Sequence, residues 1–148
     1  MWSKYCILFC HLLFCRFLHQ ETFIAVAQKS YTYVYDNQGV EIHCLKQLPA
    51  VRRLEFLPYH FLLVAMTENG FISYLDASVG QIVASFPTYL GSLNVACQNP
   101  ANATILTGHP SGAVSVWIPT EKAPVVKILC HNSGVKSIAI NRDGRSVS

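Results

Sequence analysis

Two adjacent pairs, His43-Cys44 and Cys130-His131, set metal-ligand types side by side in a chain of 148 residues that holds six histidines and six cysteines. Zinc sites draw their ligands from closely spaced pairs such as C-x-x-C, so that one turn can present two donors to one ion. No C-x-x-C occurs here: Cys6, Cys10 and Cys15 crowd into an apolar N-terminal run, and Cys44, Cys97 and Cys130 fall far apart inside apolar stretches. These thiols are read as buried small hydrophobes. The eight acidic residues form no D-x-D and no convincing catalytic pair, G-x-S-x-G is absent, and neither type of phosphate-cradling glycine loop is present. His60, beside Tyr59, and His109, in "TGHPSG", read as turn or strand-edge residues. The reading is therefore of no enzyme, with no catalytic, cofactor-binding or metal-binding residue to name, no cofactor and no small-molecule substrate.

Charge excludes little more. Eleven Lys and Arg against eight Asp and Glu give +3 at neutral pH, and the basic residues are scattered: only Arg52-Arg53 are adjacent, and Lys136, Arg142 and Arg145 are loosely spaced. A nucleic-acid footprint calls for a denser stripe, so these read as solvated strand faces and turns. With 51% hydrophobic and 13% charged residues, the chain has the composition of a folded domain. The first residues, "MWSKYCILFCHLLFCRFLH", carry a lysine, an apolar stretch and an arginine in the outline of a secretory leader. That stretch is too short for a membrane span, and no membrane role is read. An A-x-A triplet, Ala25-Val26-Ala27, falls inside an expected strand, and secretion would make Asn102-Ala103-Thr104 a glycosylation sequon.

The elements that must position any site repeat. "SGAVSVWI" (Ser111 to Ile118) returns 42 positions earlier as "NGFISYLD" (Asn69 to Asp76), with Gly112 falling on Gly70, Ser115 on Ser73 and Trp117 on Leu75. Pro100 likewise falls on Pro58, Leu93 on Val51 and Val135 on Leu93. A looser third copy, Phe23 to Asp36, matches Phe61 to Asp76 once two turn residues are dropped. Within each unit apolar residues follow a period of two: "VRRLEFLP" and "LNVACQNP" give a first strand, "FLLVAM" and "ATILTG" a second, "GFISYLD" and "GAVSVWI" a third, and "GQIVASF" and "PVVKILC" a fourth. Asn69-Gly70 and Ser111-Gly112 occupy hairpins that need positive φ. Four short antiparallel strands in each such unit make the blade of a β-propeller. "FLLVAM" is apolar throughout, so both of its faces need cover, and face-to-face neighbours would supply it. Trp117 reads as a plug between blades, and Tyr33, Tyr35 and Tyr74 as packing residues rather than a ligand-stacking patch.

The repeat length, the hairpin glycines Gly70 and Gly112, Asp76, Trp117, the Cys130-His131 pair ahead of a new strand at Val135, and the "NRDG" turn carrying Asp143 and Gly144 resemble a WD repeat. The dipeptide signature is degenerate, since Ile118 follows Trp117 and Leu75 stands ahead of Asp76. A more specific resemblance runs from about Phe17 to the end of the chain. "YDNQGVEIHCLK", "LEFLPYHFLLV", "GFISYLDASVGQIVA", "CQNPANA" and "VKILCHNSGV" are similar to the middle blades of the nucleolar WD repeat-containing protein 46 family, also called the U-three-protein-seven family.

This resemblance implies an all-β fold, a partial WD-repeat propeller of about two and a half to three blades out of about seven. It implies units at about 17–50, 51–92 and 93–134, with another opening at 135–148, and repeat positions at Gly70, Asp76, Gly112, Trp117, His131, Asp143 and Gly144. Residues 1–16 depart from the family pattern, and the chain reads as a fragment of a longer product. The implied role is a non-catalytic scaffold in the nucleolus, within the small-subunit processome that matures precursor ribosomal RNA. Its partners would be processome proteins and small nucleolar ribonucleoprotein components, with pre-rRNA held in the complex. The alternatives are a WD-repeat interaction module of another assembly and a small secreted β-protein.

Overall fold

A computed structural model of the chain describes residues 12–17, 23–48, 50–58, 61–93 and 95–148, the first of these segments by its backbone alone. Twelve strands fold into three separate four-stranded antiparallel sheets, each in simple chain order. The first holds β1 (Leu12–Phe17), β2 (Phe23–Gln28), β3 (Thr32–Asp36) and β4 (Glu41–Leu45). The second holds β5 (Val51–Phe56), β6 (Leu62–Thr67), β7 (Phe71–Asp76) and β8 (Gln81–Pro87). The third holds β9 (Val95–Gln98), β10 (Ile105–Gly108), β11 (Ala113–Trp117) and β12 (Val126–Leu129). Every regular element among the described residues is a strand.

The second sheet is the sandwich filling. Successive side chains of a strand point to opposite faces, and β6 divides accordingly. Leu63 and Ala65 join a buried cluster with Ala25, Ala27, Val34 and Leu45 of the first sheet, while Val64 and Met66 join another with Ile105 and Trp117 of the third. β7 does the same, with Leu75 on the first side and Ile72 and Tyr74 on the other. The unbroken apolar run of β6 thus follows from two-sided burial, and all four of these β6 side chains are fully buried. Alternation within a buried strand is hidden from a hydropathy reading because both faces are dry.

The bulge between Tyr74 and Leu75 in the β7–β8 pairing sets one β8 residue outside the ladder, which leaves Val83 exposed between Ile82 and Ala84. Beyond β12, the chain crosses the outer face of the third sheet. Val135 and Ile138 lie where a Cβ on Gly108 would stand, and Ile140 bridges Val147 in a hairpin closed by Asn141–Gly144.

Some sequence expectations change at the edges. The backbone of Leu12–Phe17 forms β1 and pairs with β2, so the first sheet begins ahead of Phe17; the rest of the apolar leader lies outside the described residues. Ala25 and Ala27 of the A-x-A triplet are buried within β2. The buried-thiol expectation is corrected: Cys44 and Cys130 are exposed and Cys97 is half-buried. Cys44 sits on β4, whose outer residues have no sheet packed over them among the described residues, and Cys130 sits in a connection. Tyr74 is core, but Tyr33 and Tyr35 stack on each other, with ring centroids 6.2 Å apart, and both are only half-buried.

Candidate functional site

The densest polar arrangement lies between the second and third sheets, on the β10–β11 hairpin. Ile105, Thr107 and His109 alternate onto one face, opposite Trp117 and Ser115 of β11. Trp117 Nε1 donates to Thr107 Oγ1 at 2.9 Å. Thr107 Oγ1 and Ser115 Oγ in turn lie 3.0 and 3.1 Å from His109 Nε2. All four residues are buried. His109 Nδ1 is buried without a partner among the described residues. A second ring proton would therefore be an unpaired buried donor, and burial, reinforced by the nearby Lys127 charge, holds the His109 pKa below its ordinary value. His109 does stand at the strand edge, one residue past β10, with its carbonyl opening the hairpin turn, but its side chain continues the period-two face of β10 inward and is buried.

The equivalent positions one repeat earlier hold no such chain. Trp117, Thr107, His109 and Ser115 correspond to Leu75, Ala65, Thr67 and Ser73 at a spacing of 42. Ser73 Oγ instead meets Ser85 Oγ at 2.8 Å, and Thr67 Oγ1 accepts the Phe71 amide at 3.1 Å. The same backbone frame holds both hairpins: Gly70 donates to the Thr67 carbonyl and Gly112 to the His109 carbonyl, at 3.1 and 3.0 Å. What differs is the filling: Leu75 and Ala65 stand where Trp117 and Thr107 do, and the buried Thr67 and Ser73 bond within their own sheet.

Gly112 (φ +82°) closes its hairpin directly against the His131 carbonyl, and Gly70 (φ +79°) against the Gly91 carbonyl, where a Cβ would stand 2.6 Å from the oxygen. Only glycine meets both the left-handed backbone and the close approach. His131 contributes backbone, its amide donating to the Gly112 carbonyl at 3.2 Å, while its side chain is exposed. Asp76 caps the β7–β8 turn, accepting from the Ser78 amide at 2.9 Å and from the Ser78 hydroxyl; these bonds, the hydroxyl foremost, hold its pKa below the ordinary carboxylate range. Asp143 accepts the Arg145 amide at 3.1 Å in the C-terminal hairpin. Gly144 closes that hairpin against Asn99, whose Nδ2 donates to the Gly144 carbonyl at 3.1 Å. These residues are spread over both ends of the stack and act on separate turns.

At one end, the connections run together into a continuous loop surface. The Ala50 amide donates to the Lys29 carbonyl at 3.3 Å and the Glu68 amide to the Ala50 carbonyl at 3.0 Å, joining the first two sheets. Gly91 meets both Gly70 and Pro110, and Gly134 lies against the Pro110 backbone, joining the second and third. Among the described residues no three of His, Cys, Asp and Glu converge as a metal site; His43 lies on β4 of the first sheet and Cys130 just past β12 of the third.

No protein-family model matches the chain. The "WD repeat-containing protein 46" of Caenorhabditis elegans is 61% identical over 129 residues, which is 87% of this chain and 22% of that protein. The human protein of the same name is 52% identical over 129 residues, or 21% of its length. The "U3 small nucleolar RNA-associated protein 7" of Saccharomyces cerevisiae is 47% identical over 128 residues, 86% of this chain and 23% of that one. The chain thus spans about a fifth of the length of these relatives. Among solved structures, a chain in "Crystal Structure of Mitotic Checkpoint Complex" superposes with a TM-score of 0.70 over 85% of this chain and 39% of its own, at 16% identity, a likeness of fold alone. The three stacked sheets are part of a WD-repeat β-propeller. Over 87% of its length, the chain is homologous to one segment of the WD repeat-containing protein 46 family and its yeast counterpart.

Proposed function

We propose that the chain is a segment of a non-catalytic scaffold of the nucleolar small-subunit processome, supporting precursor ribosomal RNA processing and small-subunit assembly. The observation that carries this reading is the 47% identity to a yeast protein named for its association with the U3 small nucleolar RNA. Rigid stacked sheets joined by short turns suit a platform that presents loops and edges to several partners at once. Those partners are processome proteins and small nucleolar ribonucleoprotein components. We take the units to be 17–50, to whose sheet Leu12–Phe17 adds β1, then 51–92 and 93–134 with the next opening at 135–148, and Gly70, Asp76, Gly112, Trp117, His131, Asp143 and Gly144 to be their repeat positions. A secretory role draws no support from Ala25 and Ala27, which are buried in β2 where a processing enzyme would need an extended, open strand.

Sucrose-gradient sedimentation of the tagged product of the complete reading frame tests the proposal. It should travel with pre-ribosomal particles containing U3 RNA, and its depletion should accumulate unprocessed precursor. A protein confined to light fractions, with rRNA maturation normal after depletion, would contradict it.

A further inference from the structure

Charge that is scattered along the sequence is sorted by the fold. Asp36, Glu41, Asp76, Glu121 and Asp143 all fall at the end of the stack that carries the β3–β4, β7–β8 and β11–β12 connections and the C-terminal hairpin, mixed there with Lys122, Arg142 and Arg145. At the opposite end, the one described acid is Glu68, and Arg52 holds it at 2.8 Å. Exposed Lys29 is tied to that pair through the Lys29–Ala50–Glu68 backbone bonds, exposed Lys46 follows β4 at the same end, and neither has a carboxylate partner among the described residues.

The same end carries an aromatic that the sheets do not explain. Tyr89 is 90% exposed and has φ +56°, a left-handed conformation that a bulky residue adopts only under constraint. The constraint is visible on both sides of it. The Thr88 amide and hydroxyl both donate to the Gly70 carbonyl, at 2.8 and 2.7 Å, and Gly91 is packed against Gly70. The clamped loop thus holds a phenol ring out in water with no intramolecular burial to favour it. Tyr31, 40% exposed, stands between Lys29 and β3 at this end.

We propose that this loop end binds single-stranded RNA, with Lys29 and Lys46 on phosphates and Tyr89 stacking on a base. Uncompensated cations together with an exposed ring carried on a clamped backbone are what a strand of RNA uses. A protein partner would bury Tyr89 without needing Lys29 and Lys46 left unpaired. The inference rests on, and deepens, the processome reading by assigning the RNA-facing surface.

Fluorescence anisotropy of the full chain with a labelled oligouridylate of about 16 nucleotides, across a KCl series, tests it. Replacing Lys29 and Lys46 with alanine should reduce the log–log salt slope by about 0.7 for each phosphate contact removed, about 1.4 for the pair. Tyr89→Ala should weaken binding about tenfold with the slope kept, and Tyr89→Phe should restore it. Tyr89→Gly should weaken RNA binding while leaving the melting temperature unchanged or higher, because glycine relieves the left-handed backbone. Lys122→Ala, at the other end, should change neither affinity nor slope. Wild-type affinity and slope in the Lys29/Lys46 and Tyr89 variants would overturn the proposal, as would no binding by the wild type. If oligouridylate binding fails while the protein still sediments with U3 RNA, this surface is wrong and the scaffold reading stands; if the variants behave as expected and depletion leaves rRNA processing normal, the scaffold reading fails alone.

Discussion

Trp117 fills the gap between the second and third sheets with its indole and fixes Thr107 with its Nε1. The two contributions can be separated. Trp117→Ala should cost about 3–5 kcal/mol from lost burial and the cavity left behind. Trp117→Phe, which keeps most of the volume and removes the donor, should cost nearer 1 kcal/mol; urea midpoints of the complete protein distinguish them. His109 gives a pH signature. Its folded pKa lies below its ordinary value, so the unfolded chain takes up the proton first as pH falls. Stability is then full above about pH 6.5 and declines below it, by at most about 1.4 kcal/mol per pH unit from this residue. His109→Thr, which copies Thr67 of the preceding repeat, should flatten that part of the profile. Trp117 as a plug was legible in the repeat spacing. "TGHPSG" places His109 at a turn, as it is, and hides the burial of its side chain, for which the alternation with Ile105 and Thr107 is the available signal.

β6 is buried on both of its faces. Ala65 faces the first sheet and Val64 the third, and both are fully buried. Ala65→Asp and Val64→Asp should each abolish protease resistance, since either carboxylate would be stranded in an apolar interface. A sheet with one wet face would tolerate one of the two. Strands β5 to β12 were readable because period-two runs broken by Asn69-Gly70 and Ser111-Gly112 leave few alternatives. β1 was not, because Leu12–Phe17 continues an apolar run with a leader's charge pattern, and only its pairing with β2 reveals a strand. The thiols were misread for a related reason. An apolar setting in sequence promises burial only when the covering sheet belongs to the same chain.

In the whole molecule, the second sheet is covered on both faces and the first on one, while the third has one covered face and an outer face crossed only in part, at Gly108, by Val135 and Ile138. Tyr33 and Tyr35 stack on the outer side of the first sheet, and Val126 and Ile128 stand exposed on the third. Apolar faces of this kind mark contact surfaces, and in a propeller each blade face is met by the next blade. We therefore propose that further sheets of the same protein cover these faces. Val26, opposite Tyr33 in the β2–β3 pairing, is half-buried here at the middle of the first sheet's outer face. The direct measurement is maleimide labelling of Val26→Cys in the native product of the complete reading frame, read by peptide mass spectrometry against Ser78→Cys, an exposed turn position. Residue 26 should be strongly protected and residue 78 should react rapidly; equal, rapid labelling of both would mean that the outer face of the first sheet stays open to solvent.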